Sequence, residues 1–597
     1  MDKVKYSDLL AKWLVEAGYS KCFSLGGGNI MHLAESVSRA MQLIPVVHEV
    51  AAGIAAEYFT ETGEGQRAFA LVTTGPGLTN VVTAIAGAYM ESRELLVIGG
   101  QVKTADLCHG LIRQRGIQEV QGEKLVEVIT KKSVRLDAPI CRSEFLALVK
   151  TGWTPRKGPV FIEMPLDVQG RMVDPTDFED EVDALAEPPL PKASDAQVQD
   201  IVARFRAAKR PVLLVGGGVS RETALQVGPE GYTRMGVPVM TTYNGASRIG
   251  SEHPLYFGRP NTFGQRYSGI LVQQADFVLA LGTRLGMQQS GFNWQQFVPL
   301  GDILQVDLDQ AELDKGHPQI DLGLCVDAND LLQRLQGQSL GEHGEWIDFC
   351  NGVKAELPLV EPGINVTGAG YLSPYVFFDE LSKLSRADDV LIPCSSGGAF
   401  TCSYQSISQK FGQHFVSDKS LASMGYGLSG AIGAALANPH KRTILIEGDG
   451  GFAQNMQEIG TAVINKVNLK MFIFDDQGYA SIRMTQRSYF GGRYVGCDIN
   501  TGLGLPNWEK IFPAYDVPLV RLRPGFENDP AFLYLFNADG IAAFLVTIDP
   551  EQTYLPKVTS RVKPDGSMES NPLHRLSPEL PEGVYTRTAP FLVKKGL

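Results

Sequence analysis

Two carboxylates offer the most pointed chemistry in this chain. Gly448-Asp449-Gly450 follows the apolar run Thr443-Ile444-Leu445-Ile446, and Asp475-Asp476-Gln477-Gly478-Tyr479 follows a second run, Met471-Phe472-Ile473-Phe474. The residues between them suffice for one helix, so the spacing predicts strand, acidic turn, helix, strand, acidic turn. On neighbouring parallel strands, Asp449 and Asp476 reach the same carboxyl edge, where open α/β sheets bind ligands. Two carboxylates converging with backbone oxygens form a hard-cation site, and Mg²⁺ held in this way usually carries a phosphate ligand as well.

The elements that must position such a site repeat along the chain. Tyr6 to Ala17 has apolar residues at helical spacing and Gly18 stops it. Lys21-Cys22-Phe23-Ser24-Leu25 enters Gly26-Gly27-Gly28, while Ala68 to Val72, Leu95 to Ile98 and Val160 to Pro165 are short apolar runs of the kind that form buried parallel strands. The same pattern returns at Pro211 to Val215, which runs into Gly216-Gly217-Gly218, at Phe277 to Leu281, which runs into Gly282-Thr283-Arg284, and at Ile303 to Val306, which runs into Asp307. We expect three successive open, mainly parallel α/β domains at 1–172, 193–340 and 371–552, with Pro-containing linkers at 173–192 and 341–370. The tail 553–597 is rich in Pro, Ser and charge and weakly periodic. It is expected to wrap the surface or cover the active-site mouth, with Tyr554-Leu555-Pro556 and Arg561 to Asn571 over the opening, and to be dispensable for folding. No internal repeat is visible in the residues themselves.

Bulk properties narrow the function classes. A chain of 597 residues exceeds one hydrophobic core, and 44% hydrophobic with 20% charged residues is a globular composition. The net charge of −12 argues against a nucleic-acid partner. No apolar run approaches membrane-spanning length and no secretory leader pattern is present, so neither a membrane partner nor export is expected. Eight cysteines without a Cys-x-x-Cys pair read as buried thiols in a reducing cytoplasm.

The paired acidic turns resemble the signature of thiamine-diphosphate-dependent enzymes, with Asp475-Asp476 standing where that signature has two Asn. His48-Glu49, Thr74-Gly75-Pro76-Gly77-Leu78-Thr79-Asn80 and Ser423-Met424-Gly425-Tyr426-Gly427 match further motifs of the acetolactate synthase family, and the similarity covers most of residues 1–555. The resemblance implies thiamine diphosphate and Mg²⁺ as cofactors. Asp449, Asp476 and the Gly478 main-chain oxygen would ligate the metal, and Gly450 and Gly451 would leave room for the diphosphate. Glu49 would hydrogen-bond the cofactor's pyrimidine nitrogen, for which it must be buried. Gly27, in a turn like the family's Pro-Gly-Gly, and Gln118 would line the reaction centre. Thr74, Pro76, Asn80 and Tyr479 would line the cofactor pocket, Ser396, Gly397 and Gly398 would grip the diphosphate, and Met424 would lie beneath the bent cofactor.

The middle domain resembles the flavin-carrying domain of the same family. Gly216, Gly217, Gly282, Arg284, Asp307 and Asp327 are the residues this implies for FAD, with Arg284 as a pyrophosphate clamp. The implied reaction is decarboxylation of a 2-oxo acid, first of all pyruvate, and transfer of a two-carbon unit to an acceptor carbonyl by a homodimer or homotetramer whose active sites lie at the subunit interface. Asn29, Ile117 and Ser396-Gly397-Gly398 depart from the family pattern of Ala, Phe and Gly-Gln-His and argue for a different acceptor, such as a nucleotide-linked keto sugar or another ketone. A flavin-dependent 2-oxo acid oxidase and a non-catalytic regulatory paralogue are the alternatives. Retention of Glu49 and Asp449 speaks against the latter.

Overall fold

The structure is a computed structural model that describes residues 3–154, 156–181 and 189–597. Part of the expected 173–192 linker, residues 182–188, lies outside the described residues.

A short antiparallel pair, β1 (Val4–Lys5) and β8 (Met172–Val173), closes the first unit. Between them lie β2 (Tyr19–Ser24), β3 (Gln42–Pro45), β4 (Arg67–Val72), β5 (Leu95–Gln101), β6 (Lys132–Arg135) and β7 (Pro159–Pro165), a parallel sheet in the order β3-β2-β4-β5-β7-β6. The central sheet takes β9 (Pro211–Val215), β10 (Val239–Thr241), β11 (Phe277–Leu281), β12 (Asp302–Asp307) and β13 (Leu322–Cys325) in the order β10-β9-β11-β12-β13. The third sheet takes β14 (Val390–Pro393), β15 (His414–Phe415), β16 (Thr443–Gly448), β17 (Leu469–Asp475), β18 (Leu519–Leu522) and β19 (Ala542–Thr547) in the order β15-β14-β16-β17-β19-β18. The three α/β layers expected from the apolar runs are present. The first and third sheets have the same topology strand for strand, a repeat that the residues do not show.

Each sheet has a switch point where the order reverses, between β2 and β4, β9 and β11, and β14 and β16. The loops leaving neighbouring strands there diverge to opposite faces and open a crevice at the carboxyl edge. Helices cover both faces, which is why strands such as β4, β11 and β16 are buried almost along their whole length.

The first and third units join through two small-residue helices. Glu49–Thr62 and Tyr426–Ala437 contribute to one apolar cluster with both flanking sheets. Their approach depends on glycine: a Cβ on Gly433 would overlap the Ala55 carbonyl, and one on Gly430 would lie 2.8 Å from the Tyr58 ring. A buried polar network seals the same boundary. Arg93 donates to Glu57 at 2.9 Å and to the Ser417 carbonyl at 2.7 Å, and Tyr426 donates to Glu57 at 2.9 Å.

The tail corrects the sequence reading. It forms a hairpin, β20 (Ser560–Val562) with β21 (Met568–Ser570), and the helices Glu582–Thr588 and Pro590–Val593. Val558, Leu573, Leu576, Tyr585 and Leu592 are buried in one cluster with Val212, Leu214 and Val278 of the central sheet. Its apolar residues are spread too irregularly to signal helix or strand, but they are core residues of the central unit, so the tail is not a dispensable surface wrap. All eight cysteines are free thiols. Among the described residues, no helix is long and apolar enough to cross a membrane.

Candidate active site

At the carboxyl edge of the first sheet, three loops bring most of the expected residues together. Glu49 begins the helix Glu49–Thr62 just beyond β3 and is 5% exposed. Asn80, on the helix Pro76–Glu91, donates to Glu49 Oε2 at 3.0 Å, fixing the carboxylate. Pro76 is preset for the first helical turn, and Gly75 before it takes φ +67°, a conformation that favours glycine. Thr74 is buried and donates to the Gln118 carbonyl at 3.3 Å. Gln118 itself has φ +65°. Its loop is tied down by Glu119, which accepts from the amides of Cys108, Arg115 and Gly116. Burial pushes the Glu119 carboxyl up, but these amides outweigh it and hold it at about 2. Gly27 sits against Thr73, whose side chain a Cβ there would overlap. Gly27, Thr74, Pro76, Asn80, Gln118 and Glu49 thus share one strand edge.

The second group lies at the matching edge of the third sheet. Asp449 follows β16 and is 1% exposed. Its Oδ1 accepts from the Gly450 amide at 2.6 Å and its Oδ2 from the Gln477 amide at 2.8 Å, which joins the two acidic turns. Asp476 is 4% exposed and pairs with Arg483, whose Nη2 lies 3.0 Å from Oδ1. Burial and then the neighbouring Asp476 and Asp475 push the Asp449 carboxyl well above its ordinary value. Burial likewise raises Asp476, to about 7 against the pull of Arg483. Gly478 takes φ +148°, and its carbonyl oxygen would stand 3.3 Å from a Cβ on Gly450. Two buried carboxylates that resist ionising together, beside a main-chain oxygen, are a donor set suited to a divalent cation, which offsets their repulsion. No group of three His, Cys, Asp or Glu side chains suited to a metal occurs among the described residues. This site has only two, with a backbone oxygen as the third donor.

A Cβ on Gly450 would lie 2.5 Å from the Tyr479 ring and one on Gly451 would lie 3.2 Å from Glu447, so their smallness admits the protein's own side chains. Two helices start beside this site. Gly397–Ser406 begins at Ser396 without a side-chain cap, and Gly397 has φ +81°. Tyr426–Ala437 begins at Gly425, also φ +81° and also without a side-chain cap. Met424, immediately before it, is 38% exposed.

Within the chain, the turn carrying Glu49 docks on the third unit, since the Val47 and His48 amides both donate to Glu458 Oε1 at 3.0 Å. Among the described residues, no hydrogen bond or ion pair joins Glu49 to Asp449 or Asp476.

In the central unit, Gly216, Gly217, Gly282 and Arg284 leave the switch-point strands β9 and β11. A Cβ on Gly216 would overlap the Gly282 carbonyl, and one on Gly217 would lie 2.8 Å from Asn244, so these glycines let two turns pack on each other. Arg284 donates to Ser420 Oγ at 3.0 Å across the domain boundary and lies 4.0 Å from Glu312. Asp307 is half-buried, and burial raises its carboxyl. Asp327 caps the helix Ala328–Leu335 by accepting from the Asn329 amide at 2.9 Å. A cation and a half-buried carboxylate at a switch point suit a nucleotide diphosphate with ribose hydroxyls. Arg156 strengthens this edge by reaching Asp309 and Glu312 from the first unit.

Sequence reading missed Arg483, Glu458 and Arg156. Arg483 left a faint signal, as a cation on the helix Ala480–Phe490 that follows the second acidic turn. The others act across domain boundaries and left none.

Comparison with known proteins agrees with this fold. Residues 4–125 match the thiamine pyrophosphate enzyme N-terminal TPP binding domain, 198–335 the central domain and 397–544 the C-terminal TPP binding domain. The chain is similar to the acetolactate synthase isozyme 1 large subunit of Escherichia coli, 28% identical over 92% of this chain and 95% of that protein. It is similar to the isozyme 2 large subunit of the same organism, 27% identical over 95% of this chain and 100% of that one. Chloroplastic acetolactate synthase 2 of Zea mays is 28% identical over 93% and 87%. Three matched domains in the family's order, laid on two sheets of identical topology and a central one, make this chain a member of the thiamine pyrophosphate enzymes.

Proposed function

We propose that the chain is a thiamine-diphosphate-dependent carboligase that decarboxylates a 2-oxo acid, pyruvate first among candidates, and joins the two-carbon unit to an acceptor carbonyl. The observation that carries this reading is the buried Glu49, held by Asn80, on one sheet edge and the buried Asp449–Asp476 pair on its topological counterpart. When bound, thiamine diphosphate supplies the electron sink for decarboxylation.

The chain's own residues do the rest. Glu49, held by Asn80, shares a proton with the pyrimidine nitrogen. Asp449, Asp476 and the Gly478 carbonyl hold Mg²⁺, and the amides at the start of the helix Gly397–Ser406 receive the diphosphate. Gln118 and Gly27 line the reacting side, and Met424 supports the cofactor from below. In the central unit Arg284, Asp307 and the glycine turns take a nucleotide, with FAD as our candidate. The Glu49 edge also exposes Val47, Leu111 and Ile117, the last two each 85% exposed. Apolar side chains open to water there favour a homodimer or homotetramer that buries them and completes each site with a second copy's acidic turns. Eight free thiols suit a cytoplasmic setting.

The names of the relatives point to acetolactate formation. The departures at Asn29, Ile117 and Ser396-Gly397-Gly398 favour another acceptor, for which a keto sugar or other ketone is the first class to try. Incubation with pyruvate and a panel of ketone, aldehyde and keto-sugar acceptors should release CO₂ without consuming O₂ and yield a ligated product. Stoichiometric O₂ uptake would identify an oxidase instead, and no CO₂ release from any 2-oxo acid would overturn the reading.

A further inference from the structure

Tyr554 is fully buried, yet its hydroxyl has no hydrogen-bond partner. The ring belongs to an aromatic core with Tyr375, Phe377 and Phe472. The segment around it is pinned: the Leu555 amide donates to Tyr375 Oη at 2.7 Å, Asn365 Nδ2 donates to the Leu555 carbonyl at 2.8 Å, and Gln405 Nε2 donates to the Pro556 carbonyl at 2.6 Å. The ring is therefore held in place, and its unpaired oxygen is a fixed feature of the fold. An orphaned buried hydroxyl costs stability unless something satisfies it.

The direction of the hydroxyl identifies what does. A Cβ on Gly398 would overlap Cζ and Oη of Tyr554, so the phenol end of the ring lies on the second residue of the helix Gly397–Ser406. That helix has ten residues, and its N-terminal amides have no side-chain cap. The Asp476 and Asp449 carboxylates act on the phenol through their charge. Burial and then these charges push the phenol well above its ordinary value, so it keeps its proton and can only donate or accept as a neutral hydroxyl. The oxygen thus lies at the start of a helix whose amides have no side-chain cap and attract an anion, within the field of a carboxylate pair suited to a divalent cation. A cation-bound phosphate oxygen is the acceptor whose charge fits both.

We propose that Tyr554 Oη donates a hydrogen bond to the diphosphate of bound thiamine diphosphate, bridging the Gly398 turn and the metal site. The inference rests on the placement of that cofactor in the preceding subsection and adds a positioning residue from the tail. It also explains why position 398 is glycine: any side chain there would displace the phenol.

The test compares full-length wild type with Tyr554→Phe by calorimetric titration of thiamine diphosphate in saturating Mg²⁺, alongside thermal melts of both proteins without and with cofactor. The expected result is about a tenfold weaker Kd, a midpoint without cofactor equal to or above wild type because the orphaned hydroxyl is gone, and a smaller rise of the midpoint with cofactor. Tyr554→Met, a second apolar filling, should show the same loss of affinity. Wild-type Kd in both variants, with wild type itself binding normally, would overturn the role of Tyr554 alone. Failure of wild type to bind thiamine diphosphate would overturn the cofactor placement as well.

Discussion

At the scale of single residues, the proposal makes Glu49 an acid that works through one hydrogen bond. Glu49→Gln keeps the shape of the side chain and a partner for Asn80 but cannot exchange a proton with the pyrimidine. The variant should fold and bind cofactor, and deuterium exchange at the thiazolium C2 of bound cofactor should slow about 10²–10⁴-fold, as read by NMR. Exchange at the wild-type rate would remove Glu49 from proton transfer. For the metal, Asp449→Ala should leave the protein unable to retain thiamine diphosphate through dialysis at any ordinary Mg²⁺ concentration, whereas wild type should lose it only on chelation. Retention by the variant would show that Asp449 is no ligand. Asp449 and Asp476 were legible in the sequence because their type and spacing carry the signal, an acidic turn after an apolar run implying a carboxylate at a strand edge, whereas Glu49 was singled out only by the family resemblance of His48-Glu49. Arg483 and Glu458 were not legible, because the first pairs with Asp476 through the packing of a helix and the second reaches a turn from another domain.

At the scale of elements, the strands were legible and their kinship was not. Runs such as Thr443 to Ile446 and Ala68 to Val72 declare buried parallel strands by composition. Equal topology of two sheets arises from hydrogen-bond partnering between distant segments, which leaves no local mark. The helix pair Glu49–Thr62 and Tyr426–Ala437 shows the same limit, since its Ala and Gly content is visible but its partner is not. Gly433→Val should destabilise the protein by about 1–3 kcal/mol in denaturant unfolding, because the new side chain meets the Ala55 backbone, which cannot swing away. Gly352→Ala supplies the contrast. It lies exposed in the helix Gly344–Glu356 with nothing within 4 Å of a Cβ, so it should stabilise by about 0.5–1 kcal/mol. Equal effects at the two sites would show that the close helix approach is not what position 433 serves. Truncation after Pro550 belongs here too: removing Leu573, Leu576, Tyr585 and Leu592 opens the central core, so the truncated chain should fail to give a cooperative melt.

At the scale of the whole molecule, the three units are tied by polar and charged contacts that composition could not foretell. Glu64 of the first unit meets Arg221 of the central unit at 3.2 Å, and His414 and Lys441 of the third at 3.4 and 3.1 Å. His414 is 4% exposed; burial, then Arg221 and Lys441, hold its imidazole well below its ordinary value, so the folded protein keeps it neutral. His574 of the tail, also 4% exposed, is held down to about 4 by burial and then by Arg575. In both cases the folded pKa lies below the unfolded value of about 6.5, so below that pH the unfolded chain binds the extra proton and stability falls. For His574 the loss runs from about pH 6.5 down to about 4, at about 1.4 kcal/mol per pH unit. Buried carboxyls such as Glu57, raised to about 8, act in the opposite sense and bend the total curve. The decisive quantity is therefore the difference between wild type and His574→Asn. Measured by denaturant unfolding at several pH values, that difference should stay flat above about 7 and move against wild type by about 1.4 kcal/mol for each unit below 6.5. A difference that stays flat down to pH 4.5 would mean that the imidazole ionises within the fold and that the tail is packed more loosely around it than its burial indicates.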